Sequence, residues 1–372
     1  MKLISSFYKT SSLAKNGVFI LIVSALILII GALFIPNFEG KATHKQIYNL
    51  NGFTLKFNDD PETSTFFQSI IKNDGYLCLG TSESTTPVNY FDFLNNDVEI
   101  APRFSVLAGA GRTCGVYIPL LYSQKESVKG LKIIYYINPA YWRSNLCELD
   151  KSYWDRYTNY TLAKNLNLSE NEQVNFGKPI ETYFETLNTF EKSTHTIESG
   201  LRSLRKSYFH DLYYHLNPEK YDEQFLYIHD RKNNLGENKQ FQTPKIEGYD
   251  TTWNILSSFQ EKHWYKSIDE EQDFRYEELS AFIHLCKSLE IEATFIVAPY
   301  NDRFIRQYDP SSIYAYPKTM SKIKALLNQE KVPYIDATDI STINGTFDDH
   351  QHHSSYGAYL IYHKIKNYLN HE

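Results

Sequence analysis

YLCLGTSES, residues 76–84, decides how this chain is read. Tyr76–Leu79 form a short apolar run suited to a buried strand, and Gly80-Thr81-Ser82 turns it sharply. Ser82 then stands at the carboxyl end of that strand, where a strand–turn–helix placement holds a hydroxyl over the sheet edge and suits a nucleophile. Ser82 also fits a helix N-cap, with Glu83 as a first-turn acid complementing the helix dipole. The other end of the chain adds weight to the first reading. In FDDHQHHSSYGAY, 347–359, Asp349 and His352 are spaced Asp-x-x-His, which places an acid and a base on one loop or helical turn. An early serine with a late Asp-x-x-His is a possible hydrolase or acyltransferase triad: Ser82 as nucleophile, His352 as base, Asp349 fixing its tautomer. The same DDHQHH loop contains metal-ligand types, and it also reads as a solvated polar turn.

Working outward, three further runs resemble the first. KIIYYI, 132–137, is closed by Asn138-Pro139; ATFIVA, 293–298, by Pro299-Tyr300-Asn301; VPYIDA, 332–337, is shorter. Continuous apolar runs bounded by turn residues suit strands buried on both faces of a parallel sheet. Helical patterns separate them. FRYEELSAFIHLCKSLEI, 274–291, places Leu279, Phe282, Ile283, Cys286 and Leu289 on one face; Lys318–Glu330 and Ser355–Leu369 are two more. Alternating strand and helix predicts an α/β fold with a mostly parallel sheet. From 145 to 270 the alternation breaks into a polar, aromatic, helical insertion with a loop-like stretch over 229–245. Such an insertion belongs beside the carboxyl ends of the strands, where open α/β sheets bind ligands, and reads as a lid or docking module.

Acyl transfer through serine also needs oxyanion donors. The Ser82 amide is one. The glycine-rich turn LAGAGRTCG, 107–115, offers Gly111 and Arg112, although its glycines also suit a plain tight turn. Asn138, directly after a strand, offers a side-chain amide or merely ends the strand. The chemistry calls for no cofactor and no metal.

Residues 18–35, VFILIVSALILIIGALFI, contain no charge. Eighteen residues at about 1.5 Å each span roughly 27 Å, close to a bilayer core of about 30 Å. A cleaved signal would be shorter and end at a small-x-small site, and Pro36-Asn37-Phe38-Glu39-Gly40 is a poor one. Lys2, Lys9 and Lys15 precede the span, so the positive-inside rule leaves 1–17 in the cytoplasm and everything after residue 36 outside. Residues 36–75 read as a linker leading into an extracytoplasmic domain over 76–372. The net charge of −6 disfavours nucleic acid as partner. The 30 Tyr and 23 Phe fit a sugar- or polymer-binding cleft, but an AT-rich genome inflates tyrosine as well. Cys78, Cys114, Cys147 and Cys286 match no zinc spacing; Cys78 suits a core position, and an external location permits a disulfide among the rest.

The order Gly-x-Ser, glycine turn, asparagine after a later strand and final Asp-x-x-His resembles the SGNH/GDSL hydrolase superfamily, and within it the DltD family of D-alanyl-lipoteichoic acid biosynthesis proteins. Gly80-Thr81-Ser82-Glu83 is similar to that family's Gly-Ser-Ser-Glu turn. Pro87-Val88-Asn89-Tyr90-Phe91, Asn138-Pro139-Ala140-Tyr141-Trp142 and Pro299-Tyr300-Asn301-Asp302-Arg303 stand where the family has further motifs. Asp349, His352 and Gly357 match its final block. Gly111-Arg112-Thr113-Cys114 departs from the family's Gly-Gly-Ser-Gln. The resemblance implies an SGNH-like three-layer sandwich and an acyl-enzyme on Ser82. It also implies a membrane-bound O-acyltransferase as partner and a cell-surface polymer such as teichoic acid as acceptor. An extracytoplasmic O-acetylesterase or thioesterase, and a non-catalytic anchored scaffold, are the alternatives.

Overall fold

In a computed structural model of the chain, the structure describes residues 2–40, 45–50, 61–85, 88–109, 111–143, 168–185, 187–230, 273–308 and 310–371. Cys147 and the stretch 231–245 lie outside them. Strands are β1 (Ile47–Leu50), β2 (Tyr76–Gly80), β3 (Phe104–Ala108), β4 (Lys132–Ile137), β5 (Phe225–Tyr227), β6 (Glu292–Val297) and β7 (Tyr334–Asp336). Five of them form a fully parallel sheet in the order β3-β2-β4-β6-β7; β1 and β5 pair antiparallel in a separate two-stranded sheet. All four apolar runs are therefore strands of one parallel sheet.

The packing follows from side-chain alternation along a strand. Cys78, Ile134, Tyr136, Ile296 and Ile335 face one core with Tyr90 and Leu94 of helix Tyr90–Asn96 and with Ala358, Ile361 and Ile365 of helix Ser355–Leu369. On the opposite face Tyr135 and Phe295 meet Phe282 of helix Asp273–Ser288 and Tyr117 of helix Cys114–Ser123. Leu279, Phe282, Ile283 and Cys286 of the stripe read from sequence are buried, whereas Leu289, its fifth residue, lies past the helix end and is half-buried. Helices thus cover both faces, which is why the strands are apolar throughout rather than alternating.

Several elements escape the sequence reading. FSVLA, β3, follows Pro102-Arg103 and is the edge strand beside β2. The stretch 36–75, which reads as a linker, contains β1 and helix Pro61–Lys72, whose Phe66, Phe67 and Ile70 are fully buried. Cys78, Cys114 and Cys286 are free, buried thiols, as the core reading of Cys78 expects.

The described chain divides into two units. Residues 42–189 and 225–372 hold both sheets; residues 1–41 and 190–224 form the other. In the second unit the N-terminal helix runs Lys2–Leu33, and its Asn16–Leu33 window has mean hydropathy 2.6, long and apolar enough to cross a membrane. It is joined there by helix Thr189–Arg205, which continues as a π-helical stretch over Lys206–Leu212 and an α-turn over Tyr213–Leu216.

Candidate active site

Strand order fixes where a site can form. The connection from β2 leads to β3 on one side, whereas β4 lies on the other, so the sheet's topological switch point is between β2 and β4. Ligand sites in open α/β sheets sit outside the carboxyl ends of the strands at this point. Ser82 follows β2 and Asn138 follows β4.

The turn after β2 is held from below. Gly80 has no room for a side chain: a Cβ would lie 2.8 Å from Ser84 Oγ and 3.1 Å from Tyr136 Cβ. The Tyr117 hydroxyl lies 2.9 Å from the Gly80 carbonyl oxygen and 2.7 Å from that of Leu107, tying β2 to β3 where both end. Ser82 opens a single 3-10 turn, Ser82–Thr85, so the helix-start expectation holds only for that short turn.

His352 Nε2 stands 3.0 Å from Ser82 Oγ, and His352 Nδ1 stands 2.6 Å from Asp349 Oδ2. Asp349 Oδ1 accepts from the amides of Gln351 and His352, at 2.8 and 2.6 Å, which fixes the carboxylate against its own loop. Asn301, the residue after Pro299-Tyr300, donates from Nδ2 to the Asp349 carbonyl at 2.8 Å and accepts from the Phe304 amide. Gln351 Nε2 donates to Ser82 Oγ at 3.3 Å. The loop itself is a small hairpin, with Asp348 N donating to His352 O and Ser354 N to Thr346 O.

Electrostatics sort the three histidines. Burial opposes a charged His352, but the Asp349 hydrogen bond and charge, assisted by the Glu83 and Asp348 carboxyl groups, outweigh it and hold the ring above the ordinary histidine value. Burial would raise Asp349, yet the His352 contact keeps it below the usual carboxylate range. His350 and His353 are buried and pushed down to about 3, first by burial and then by the His352 charge. His350 Nδ1 lies 3.7 Å from Asp349 Oδ1 as a neutral ring, not half of an ion pair. Among the described residues no group of three or more His, Cys, Asp or Glu is arranged to hold a metal.

The sequence-based oxyanion residues are placed as follows. Asn138 is buried, with Nδ2 donating to Glu83 Oε1 and Oδ1 accepting from the Ala140 amide at 2.9 Å. Gly111 has φ of +68°, a left-handed turn that favours glycine. The Arg112 amide donates to the Gly109 carbonyl at 3.1 Å, so that backbone N–H is already engaged within the turn. The Arg112 side chain packs over Gly109, where a Cβ would come within 2.9 Å of Nε.

Glu83 is the residue that sequence reasoning undervalued. Beyond being a first-turn acid, it is fully buried. Thr81 Oγ1 donates to one carboxylate oxygen and Asn138 Nδ2 to the other, while its backbone carbonyl accepts from Asn89 Nδ2 at 2.9 Å. Burial raises its pKa, opposed by the His352 charge and the Thr81 bond. Gln351 and Asn301 were not assigned roles either. The available signal was their position, one beside the histidine and one directly after a core strand.

Gly357, five residues after His352, lies against this loop. A Cβ there would stand 2.2 Å from the Thr346 carbonyl oxygen and 3.0 Å from His353 Cβ. Gly357→Ala must therefore shift the backbone that carries Asp349 and His352. Overpacking of this kind costs about 1–3 kcal/mol. Thermal unfolding should shift downward, and activity should fall with it in protein that is still folded at assay temperature.

The fold and this sheet edge define an α/β protein with a serine–histidine–aspartate hydrogen-bond chain at its switch point. The family model described as DltD protein matches residues 231–370, which include Asn301, Asp349 and His352. Over that stretch the chain is similar to the family that the motifs resemble. No curated protein matches the chain.

Proposed function

We propose that this protein is a membrane-anchored serine acyltransferase of the DltD type. In this reading an acyl group passes through an ester on Ser82 to a hydroxyl of a cell-surface polymer. The observation that supports it is the relay from Ser82 Oγ to His352 Nε2 and from His352 Nδ1 to Asp349, at 3.0 and 2.6 Å. His352 takes the Ser82 proton as Oγ attacks the acyl carbonyl, and Asp349 steadies the imidazolium. His352 then gives that proton to the departing group of the donor. In the second half-reaction His352 deprotonates the acceptor hydroxyl, which attacks the ester and frees Ser82. The Ser82 amide, the Gly111 turn and the second Nδ2 hydrogen of Asn138 are the oxyanion donors of the proposal.

The five-strand parallel order with helices on both faces supports an SGNH-type three-layer fold. The apolar helix supports a single-pass anchor with the sheet domain outside the membrane. The DltD match favours D-alanyl groups and a teichoic acid or related polymer, with a membrane-bound O-acyltransferase as partner. The His352 side chain is 28% exposed, so water can reach it as well as a polymer hydroxyl, which favours hydrolysis by an esterase or thioesterase as the second reading.

The direct test is intact-protein mass spectrometry of the full chain after a fluorophosphonate probe. One adduct, lost in Ser82→Ala, is the expected result. No adduct on folded protein would favour the scaffold reading. D-alanyl and acetyl thioesters, offered with and without a polyol acceptor, then separate transfer from hydrolysis.

The pH profile tests His352. The base must be neutral to act, and its pKa is raised, so activity should fall as pH drops through a midpoint above the ordinary histidine value of about 6.5. Asp349→Asn removes the principal group holding that midpoint up. It should move the midpoint to lower pH and reduce turnover on the order of 10⁴-fold. An unchanged midpoint would mean that another group governs the profile.

A further inference from the structure

We infer that the helix Phe190–Leu216 lies in the membrane interface, with one apolar face seated among the phospholipids beside the end of the membrane span. The inference rests on the reading of Asn16–Leu33 as that span.

The first observation is the face itself. Phe190, Ile197 and Leu201 are exposed by 79, 65 and 60%, and Phe209, Tyr213 and Leu216 by 75, 43 and 71%. The first three recur at spacings of seven and four, one side of an α-helix. The last three recur at four and three. Between the sets, Leu201 to Phe209 is eight residues, more than the roughly 7.2 of two α-turns. In a regular helix Phe209 would rotate off the stripe. The π-helical stretch Lys206–Leu212 takes up the extra residue and returns Phe209, Tyr213 and Leu216 to it. A helix rarely adopts such a turn, and here it keeps six large apolar groups on one line. Charged residues Glu191, Lys192, Glu198, Arg202, Arg205, Lys206 and Asp211 share the same helix, which gives it the mixed character of an interfacial helix rather than a spanning one.

The second observation identifies the occupant. The helix is fastened to the end of the apolar span. Tyr208 Oη donates to the Leu28 carbonyl at 2.7 Å, and Gly31 makes room for that ring, since a Cβ there would lie 2.2 Å from Oη. The Phe38 amide donates to Asp211 Oδ1 at 3.1 Å, and His215 Nε2 lies 3.2 Å from the Pro36 carbonyl oxygen. The Phe38 ring packs among His210, Tyr214, His215 and Tyr221, an aromatic cluster of the kind that marks a membrane–water boundary. Leu28 precedes Leu33, the end of the span, by one and a half turns. At about 1.5 Å per residue, Tyr208 reaches roughly 7 Å into the apolar layer. Interfacial helices settle at about 5–10 Å. Depth, aromatic boundary and stripe therefore agree on a bilayer surface.

The test uses the full chain reconstituted in phosphatidylcholine–phosphatidylglycerol vesicles. Single cysteines at Ile197→Cys, Leu201→Cys and Phe209→Cys carry an environment-sensitive fluorophore, and lipids brominated high on the acyl chain act as quenchers. Ile27→Cys reports the span, Thr196→Cys the helix side away from the stripe, and the unsubstituted chain the background from its own cysteines. Loss of more than half the fluorescence at 197, 201 and 209, with little at 196, is the expected result. Quenching at 27 without quenching on the stripe would overturn the inference and leave the anchor standing, with a protein surface as the cover. No quenching at 27 or on the stripe would overturn both.

Discussion

Ser82→Ala will lower acyl turnover by a factor on the order of 10⁴ to 10⁶ and abolish labelling by an acylating probe. The reason is geometric. Ser82 Oγ lies 3.0 Å from His352 Nε2, and the other nitrogen of that ring is held by the Asp349 carboxylate, the geometry the proposed mechanism requires. His352→Ala should cost nearly as much, because an unassisted serine hydroxyl is a poor nucleophile at neutral pH. The double variant should be hardly worse than either single one, since members of a relay act as a unit. Thermal unfolding of Ser82→Ala should be close to that of the parent, because the substitution removes a polar atom at a partly solvated edge. Mild and additive losses would remove the relay from the mechanism. His350→Ala and His353→Ala are the comparison pair: both rings are buried and held neutral, so their losses should track unfolding temperature instead of turnover.

The second large effect is expected at Glu83 and Asn138 together. Asn138 is clamped at both ends of its amide, by Glu83 at Nδ2 and by the Ala140 amide at Oδ1. The plane of the amide is then fixed, and its second N–H has one direction. Glu83→Ala frees that amide and leaves the Thr81 hydroxyl and Asn138 Nδ2 short of an acceptor in a buried site, at about 1–3 kcal/mol for each orphaned group. Turnover should fall on the order of 100- to 1000-fold, the usual consequence of losing one oxyanion donor. Asn138→Ala should give a similar loss in turnover, and the pair should be non-additive. Glu83→Gln separates geometry from charge. Its side-chain oxygen can still accept from Asn138, but the negative charge that helps raise His352 is gone, so the pH midpoint should move down while much of the turnover survives. If Asn138→Ala turns over normally, Asn138 is not an oxyanion donor and Glu83 is only a structural brace.

Much of this was legible in the chain because it depends on local pattern. Runs such as KIIYYI and ATFIVA can be little other than doubly buried strands, and the stripe at 279, 282, 283 and 286 can be little other than a helix face, since burial selects residue type at a fixed period. The apolar 18–35 segment is legible for the same reason. The pairing of Ser82 with Asp349 and His352 was readable as three residue types in a familiar order. What the sequence could not supply is anything set by a contact between distant segments. β3 was missed because an edge strand of five residues after a proline has no period to recognise. β1 and helix Pro61–Lys72 hid in a polar stretch because their few apolar residues gain meaning only once packed. Glu83 reads as a first-turn acid or as part of the serine turn, and only the fold brings Asn138, 55 positions on, against its carboxylate. The sequence by itself determined four of the sheet's five strands, three of its flanking helices, an apolar segment long enough to cross a membrane, and the residue types of the relay. The tertiary structure alone decided which histidine meets the serine, because the loop pinned by Asn301 and Gly357 presents His352 to Ser82 and turns His350 and His353 into buried positions.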